Sequence, residues 1–333
     1  MTRLGRSPIV ACLLAVVGPV GAQVVLPPEQ TGELYVGDFN GNRVVVYDTA
    51  GRWVDEFTAE GLDGTRGIVI TPDHTVYVAS QRSDEVFVFD ADLRHVDTLS
   101  ATELDGPTGM ATGPGDTLYV GSFNNDRVVV FDRATGLMLR SFTGGGLDGP
   151  NCVAFDSAGN IYVASAITAE VVKFDAAEQW VSTFTGGGLL SPMGIARTTS
   201  DRLYVSGGAS DNIVIFDTEG NMLGELTHPD LTGPQGVAID DRGHVFSPSF
   251  FDNRIVEFDE ADRYVRTLTE GDLNVPRSAA FVPVSADEGN DAGAPSGGAT
   301  GGPACGFGMV GALMGALLMG LTLTGRTQRR EDR

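Results

Sequence analysis

The chain has 333 residues, a formal net charge of −22 and 42% hydrophobic content, enough for a sizeable core. Residues 1–22 and 305–333 each carry a net +2, so the stretch between them holds −26. That acidity excludes a phosphate backbone as a partner.

At the start, Arg3 and Arg6 precede an apolar run from Ile9 to Val20 and the small residues Gly21 and Ala22. These are the three parts of a secretory signal, with cleavage expected before Gln23, and the apolar run is too short for a comfortable membrane span. Residues 1–22 therefore read as a signal peptide, and the mature protein as exported.

Residues 33–284 are built from six copies of one unit. The aromatics Tyr35, Tyr77, Tyr119, Tyr162, Tyr204 and Phe246 recur at spacings of 42, 42, 43, 42 and 42. Asp48, Asp90, Asp132, Asp175, Asp217 and Asp259 keep the same step, as do Leu62, Leu104, Leu147, Leu189, Leu231 and Leu273. In the clearest copy, Leu118–Asp132, two β-branched and aromatic runs flank a polar loop, which reads as an antiparallel hairpin. Each unit holds four such β segments and no helical period intervenes, so a repeat of about 42 residues is a propeller blade. The array opens on a second strand and ends on a lone first strand, Ser278–Val284. That last strand is expected to complete the opening blade and close the ring. The fold class is all-β, a six-bladed β-propeller over residues 23–284. The recurring Asp residues are read as shaping outer hairpin turns. Tyr47, Phe89, Phe131, Phe174, Phe216 and Phe258 form a second aromatic series that would pack blade on blade. Cys152, which replaces the Gly or Ser of its sister repeats, reads as a small buried residue, and an internal disulfide is not expected.

Residues 285–304 are rich in Gly, Ala, Ser and Asp without a large apolar side chain, the composition of a flexible linker. Cys305 follows, then the uncharged run 306–325 and the arginines 326, 329, 330 and 333. Twenty apolar residues span roughly 30 Å, so residues 305–333 read as a transmembrane tail with the arginines inside and residues 23–304 outside.

The units GPTGMATGPGDTLYVGSFNNDRVVVFD (106–132) and GPQGVAIDDRGHVFSPSFFDNRIVEFD (233–259) resemble NHL repeats, a resemblance that covers about residues 33–284. It implies the propeller, and it leaves function open, because the fold hosts lyases, lactonases and binding modules. The linker, Cys305, apolar span and Arg-rich tip resemble the C-terminal sorting tails of Gram-negative bacterial surface proteins, the myxobacterial type among them. That resemblance implies Cys305 as the processing position and a sorting protease as a partner; a permanent single-span anchor is the other reading.

In a propeller, the lead-in to each innermost strand and the loop after the second strand share one face, where ligands gather around the channel. The lead-in residues are Arg66, Thr108, Asn151, Met193, Gln235 and Arg277. The neighbouring loops add Asp38, Phe39, Phe123 and Phe250. Arg66, Asn151, Gln235, Arg277, Asp38, Phe39, Phe123 and Phe250 are the ligand-binding candidates. Two Arg with several Phe suit an anionic or stacked ring, such as a sugar acid or a peptide carboxylate. His74 and His244 fall in turns of the opposite face, and His95 and His228 in outer regions, so no metal site, cofactor or catalytic residue is assigned. The expected function is a surface-anchored, non-catalytic propeller that presents its loop face to a protein, peptide or carbohydrate. The alternative is a secreted metal-dependent hydrolase or lyase of the lactonase or amidating-lyase propeller type, its metal held by Asn151, Asp38 and main-chain oxygens.

Overall fold

Short apolar runs broken by Gly, Asp and Asn turns favour many short strands over helices. A computed structural model describes residues 32–48 and 50–282. The signal peptide expected over 1–22, the linker over 285–304, Cys305 and the span over 306–325 lie outside the described residues. Among the described residues no helix is long and apolar enough to cross a membrane.

The strands, in chain order, are β1 (Leu34–Asp38), β2 (Arg43–Tyr47), β3 (Trp53–Phe57), β4 (Thr65–Ile70), β5 (Val76–Ser80), β6 (Glu85–Phe89), β7 (His95–Leu99), β8 (Pro107–Gly113), β9 (Thr117–Ser122), β10 (Arg127–Asp132), β11 (Met138–Phe142) and β12 (Pro150–Phe155). They continue with β13 (Ile161–Ser165), β14 (Glu170–Phe174), β15 (Trp180–Phe184), β16 (Pro192–Arg197), β17 (Leu203–Gly207), β18 (Asn212–Phe216), β19 (Met222–Leu226), β20 (Ala238–Ile239), β21 (Val245–Ser249), β22 (Arg254–Phe258), β23 (Tyr264–Leu268) and β24 (Pro276–Phe281). They form six antiparallel four-stranded sheets, and the first is ordered β24-β1-β2-β3. The last strand therefore completes the opening blade, with Leu34 opposite Phe281 and Val36 opposite Ala279. The innermost strands β24, β4, β8, β12, β16 and β20 touch in turn around a closed ring. β20 is short because Pro248 in its partner strand has no N–H; the lead-in there is tied instead by Gln235 N–H donating to the Pro248 carbonyl at 3.1 Å.

Small residues set how closely the inner strands approach. A Cβ on Gly67 would sit 2.4 Å from the Thr108 carbonyl oxygen and 2.8 Å from the Gly109 Cα, both in the next blade. Ser278 holds the same position in blade 1 and donates its hydroxyl to the Arg66 carbonyl of blade 2. Cys152 holds it in blade 4, fully buried, with its sulfur 3.6 Å from the Ile195 carbonyl oxygen of blade 5. Its burial is as expected.

Both aromatic series are buried. Each such side chain contributes roughly 1.5–3 kcal/mol by area burial. A third set, Phe57, Phe142 and Phe184 at the ends of outermost strands, makes contacts across blade boundaries. Their rings lie 4.8, 5.1 and 5.1 Å from Phe89, Phe174 and Phe216 of the following blades. The Asp residues that end the third strands do shape turns: Asp217 Oδ1 accepts the N–H of Glu219 at 3.0 Å and of Asn221 at 2.8 Å.

Three tyrosine hydroxyls reach as latches from second strands to the outer turn of the next blade. Tyr119 donates to Glu178 at 2.8 Å and Tyr204 to Asp262 at 2.7 Å, while the Tyr162 hydroxyl lies between the Thr218 carbonyl at 3.1 Å and Asp156 of its own blade at 2.9 Å. Burial, with Glu178 beside it, pushes the Tyr119 hydroxyl up to about 12, and burial with the facing Asp156 and Asp262 raises Tyr162 and Tyr204 as well. In the unfolded chain these groups ionise near pH 10. The folded state thus keeps protons that the unfolded state has lost, and stability is lost as pH rises from about 10 through the folded-state values. Thermal melts followed by circular dichroism are expected to shift downward between pH 9 and 11, and a flat melting temperature over that range would show the latches to be energetically silent.

Candidate functional site

The strand directions give the ring two unlike faces. One carries the turns between first and second strands and between third and fourth strands. The other, the loop face, carries the loops between second and third strands and the lead-ins to each new blade. Because β24 runs antiparallel to β1, with Leu34 opposite Phe281, the described chain begins and ends on the face opposite the loops.

Much of the loop face is scaffold. Ser80, Ser122, Ser165 and Ser249 close their second strands and accept, through Oγ, the N–H groups of Asp63, Asp105, Asp148 and Thr232 at 2.7–2.9 Å. Asp38 occupies that position in blade 1. Its Oδ1 accepts the Asn274 N–H at 2.9 Å, its Oδ2 accepts Arg43 Nε at 2.9 Å, and it is fully buried. The carboxylate read from the sequence as a ligand candidate is thus committed to holding the lead-in of its own blade. The ends of the same loops are fixed by left-handed residues. Asn42, Asp84, Asp126, Asp211 and Asn253 have φ between 52° and 58°. Each side-chain oxygen accepts an N–H from the next blade's lead-in, at Gly64, Gly106, Gly149, Gly233 and Val275, over 2.7–2.9 Å. Asn and Asp tolerate this conformation and supply the acceptor, which explains their recurrence.

Two guanidinium groups without a carboxylate partner among the described residues lie on the arc formed by blades 6, 1 and 2. Arg277, from β24, projects between Phe39 of its own blade and Phe250 of blade 6, with its guanidinium carbon 4.4 and 4.7 Å from the ring centres. It donates through Nη1 to Gln235 Oε1 at 3.2 Å, while its Nε is buried without an acceptor. Arg66, from β4, donates through Nε to Gln81 at 3.0 Å and lies 5.8 Å from the Phe39 ring. A third guanidinium, Arg82, stacks on Phe39 at 4.4 Å, but it is exposed and paired with Asp63 at 3.0 Å. Neither Arg66 nor Arg277 forms an ion pair with a carboxylate among the described residues, although Arg66 is only 7% exposed. Burial, together with the Arg277 charge, holds Arg66 well below the ordinary arginine value. Burial, together with the Arg82 charge, brings Arg277 down to about 10. A guanidinium keeps its proton in proteins at neutral pH, so these shifts register the cost of two uncompensated positive charges held side by side.

Five of the eight candidates therefore meet: Arg66, Arg277, Gln235, Phe39 and Phe250. Asn151 stands across the channel in blade 4, buried, with its Nδ2 lacking a partner. Phe123 sits beside Gly149 in the loop of blade 3, away from the arc. Gln81 and Arg82 went unread in the sequence. Both were visible as the columns that hold Phe39 and Asn40 in the first repeat, Gln81 the former and Arg82 the latter. The four histidines lie where the repeat places them. His244 is 2.8 Å from Glu257, His95 bonds Thr98, His228 stacks on Tyr264, and His74 sits in the first turn of blade 2. Among the described residues, no three His, Cys, Asp or Glu side chains converge to hold a metal.

No family model and no curated protein matches the chain. Solved structures do share its architecture. Virginiamycin B lyase from Staphylococcus aureus is 14% identical with a TM-score of 0.60, over 75% of this chain and 88% of that one. A chain of the nidogen–laminin complex is 15% identical with a TM-score of 0.65, over 76% and 99%. A protein of unknown function from Bacteroides caccae is 15% identical with a TM-score of 0.60, over 76% and 99%. At these identities the likeness establishes the fold: the chain is a six-bladed β-propeller with four-stranded blades.

Proposed function

We propose that this protein is an exported, surface-anchored binding propeller of the NHL-repeat type, which presents its loop face to a protein, peptide or carbohydrate. The observation that carries the reading is the pair of Arg66, buried, and Arg277, partly buried, held among Phe39, Phe250 and Gln235 without a carboxylate partner among the described residues. Uncompensated buried charge costs stability, and a fold retains it where a ligand supplies the counter-charge. The exit of the described chain from the opposite face supports the same reading, since attachment through the C-terminal tail would leave the loop face outward. A propeller neighbour occurs in a complex of nidogen with laminin, which favours a protein as the kind of partner.

The test immobilises the full chain on beads and compares what it retains from the medium of the producing cells. Arg66→Ala with Arg277→Ala is expected to abolish retention without lowering the melting temperature, whereas Arg52→Ala with Arg94→Ala, on the opposite face, leaves retention intact. Equal retention by both double variants would place binding elsewhere. An earlier melt for the first would make those arginines structural. Surface labelling and intact mass of the exported form test anchoring and any cut at Cys305.

A further inference from the structure

The rim arc specifies its ligand more narrowly than a binding face in general, and this narrower specification rests on the loop face being the binding face. The nitrogens left without a protein partner are the terminal nitrogens of Arg66, the buried Nε of Arg277 and, across the channel, Nδ2 of Asn151; Thr65 Oγ1, unpartnered beside Arg66, is a hydroxyl that can donate as well as accept. A surface whose unpaired charged groups are all donors selects an acceptor, and planar guanidinium edges fit the two oxygens of a carboxylate. Charge sets the size of the anion. The chain carries −22 overall, and long-range repulsion grows with the charge of the ligand, so polyanions and phosphate dianions are disfavoured more than a single carboxylate. Depth sets how it approaches. Arg66 is 7% exposed, so the carboxylate must arrive at the tip of its carrier rather than along the side of a polymer. The flank sets the carrier's polarity. Phe250 meets Phe251 edge to face at 4.8 Å, and Phe251 is 69% exposed, an apolar surface beside the cationic pair.

We infer that the loop face of this propeller binds a single organic carboxylate borne end-on by an apolar carrier, with Arg66 and Arg277 holding the oxygens and Phe250 and Phe251 receiving the carrier. The carrier is either a small carboxylic acid or a chain terminus, which share this chemistry. Calorimetric titration of the full chain in detergent tests both, with 3-phenylpropanoate and its amide as one pair, and N-acetyl-Gly-Gly-Phe with a free or an amidated end as the other. At least one acid is expected to bind about ten-fold or more tighter than its amide, the loss of one charge-assisted contact. The acid that binds more tightly identifies the carrier. Arg66→Gln with Arg277→Gln is expected to erase the preference for acid over amide, and Arg82→Gln, whose arginine already has Asp63, to retain it. Melting curves of each variant confirm folding. Amides that bind as well as acids, or inorganic phosphate that displaces the acids, would overturn the inference. If no acid binds while Arg66→Ala with Arg277→Ala still loses retention on beads, the carboxylate falls and the binding face stands. If retention survives that double variant as well, both fall.

Discussion

A chain ended at Val275, one residue before β24, is expected to lose its cooperative melt, whereas a chain ended at Val282 keeps it. β24 supplies the inner strand of blade 1, pairing with β1 from Leu34 opposite Phe281 to Asp38 opposite Pro276. Without it, β1 becomes an open edge on the channel and Val36, fully buried in the ring, loses its neighbour Ala279. The hydroxyl of Ser278 that ties blade 1 to the Arg66 carbonyl of blade 2 goes too, and so does the edge-to-face contact of Phe281 with Phe246 in blade 6. One missing strand thus loosens two blade boundaries and one blade interior. Counting about 1 kcal/mol for each net hydrogen bond and the burial lost, the cost is on the order of 5 kcal/mol or more, comparable with the whole stability of an ordinary domain. Far-UV circular dichroism against temperature separates the two truncations, and a sharp transition retained by the shorter chain would show that five complete blades and a three-stranded sixth suffice.

The fold was legible because a repeat shows its constraints six times. Aromatics on second and third strands, the turn-forming Asp and the Leu before each lead-in all follow from what one blade must bury against the next. The closing of the ring by its own C-terminal strand followed from counting strands. The loops were harder to read, since two physical roles share the same few polar residues. Ser122 and Asp126 are polar residues of one exposed-looking loop, yet in space they hold the lead-ins at Asp105 and Gly149. Asp38 was misread for the same reason. A carboxylate near a channel suggests a ligand, yet in the column filled by serine in four sister blades it does the work of serine, with Arg43 to neutralise it.

The candidate site was partly legible. The choice of Arg66 and Arg277 came from their position alone, and that position is what the geometry keeps. Their being neighbours was hidden, because they are separated by 211 positions in sequence and become adjacent only when β24 closes the ring beside β4. The burial that makes their charge costly was hidden too, since it arises from Phe39 and Phe250, which come from two different blades.

Replacing Arg66 by Met, which keeps an apolar stem of similar length, is expected to raise the melting temperature of the free protein while weakening ligand capture. In the folded state the Arg66 guanidinium is desolvated, repelled by Arg277 and compensated by no carboxylate among the described residues. In the unfolded chain it is hydrated. Its charge therefore opposes folding, and removing it relieves that cost together with the part of the Arg277 burden that Arg66 imposes. The gain is on the order of 1–3 kcal/mol, the range seen when buried charges give way to well-packed apolar groups. The loss is small by comparison: one hydrogen bond to Gln81, a half-buried side chain that water can satisfy in place of Arg66. Scaffold residues behave in the opposite way. Asp38→Asn removes the buried one of the two carboxylates paired with Arg43, Glu56 being the other, and is expected to lower the melting temperature with no direct effect on the ligand. A pair of melts, Arg66→Met upward and Asp38→Asn downward, would separate the residues that build the ring from those that the ring holds at its own expense. A fall for Arg66→Met would mean that its guanidinium is compensated in the free protein, and the case for a ligand-supplied counter-charge would fail with it.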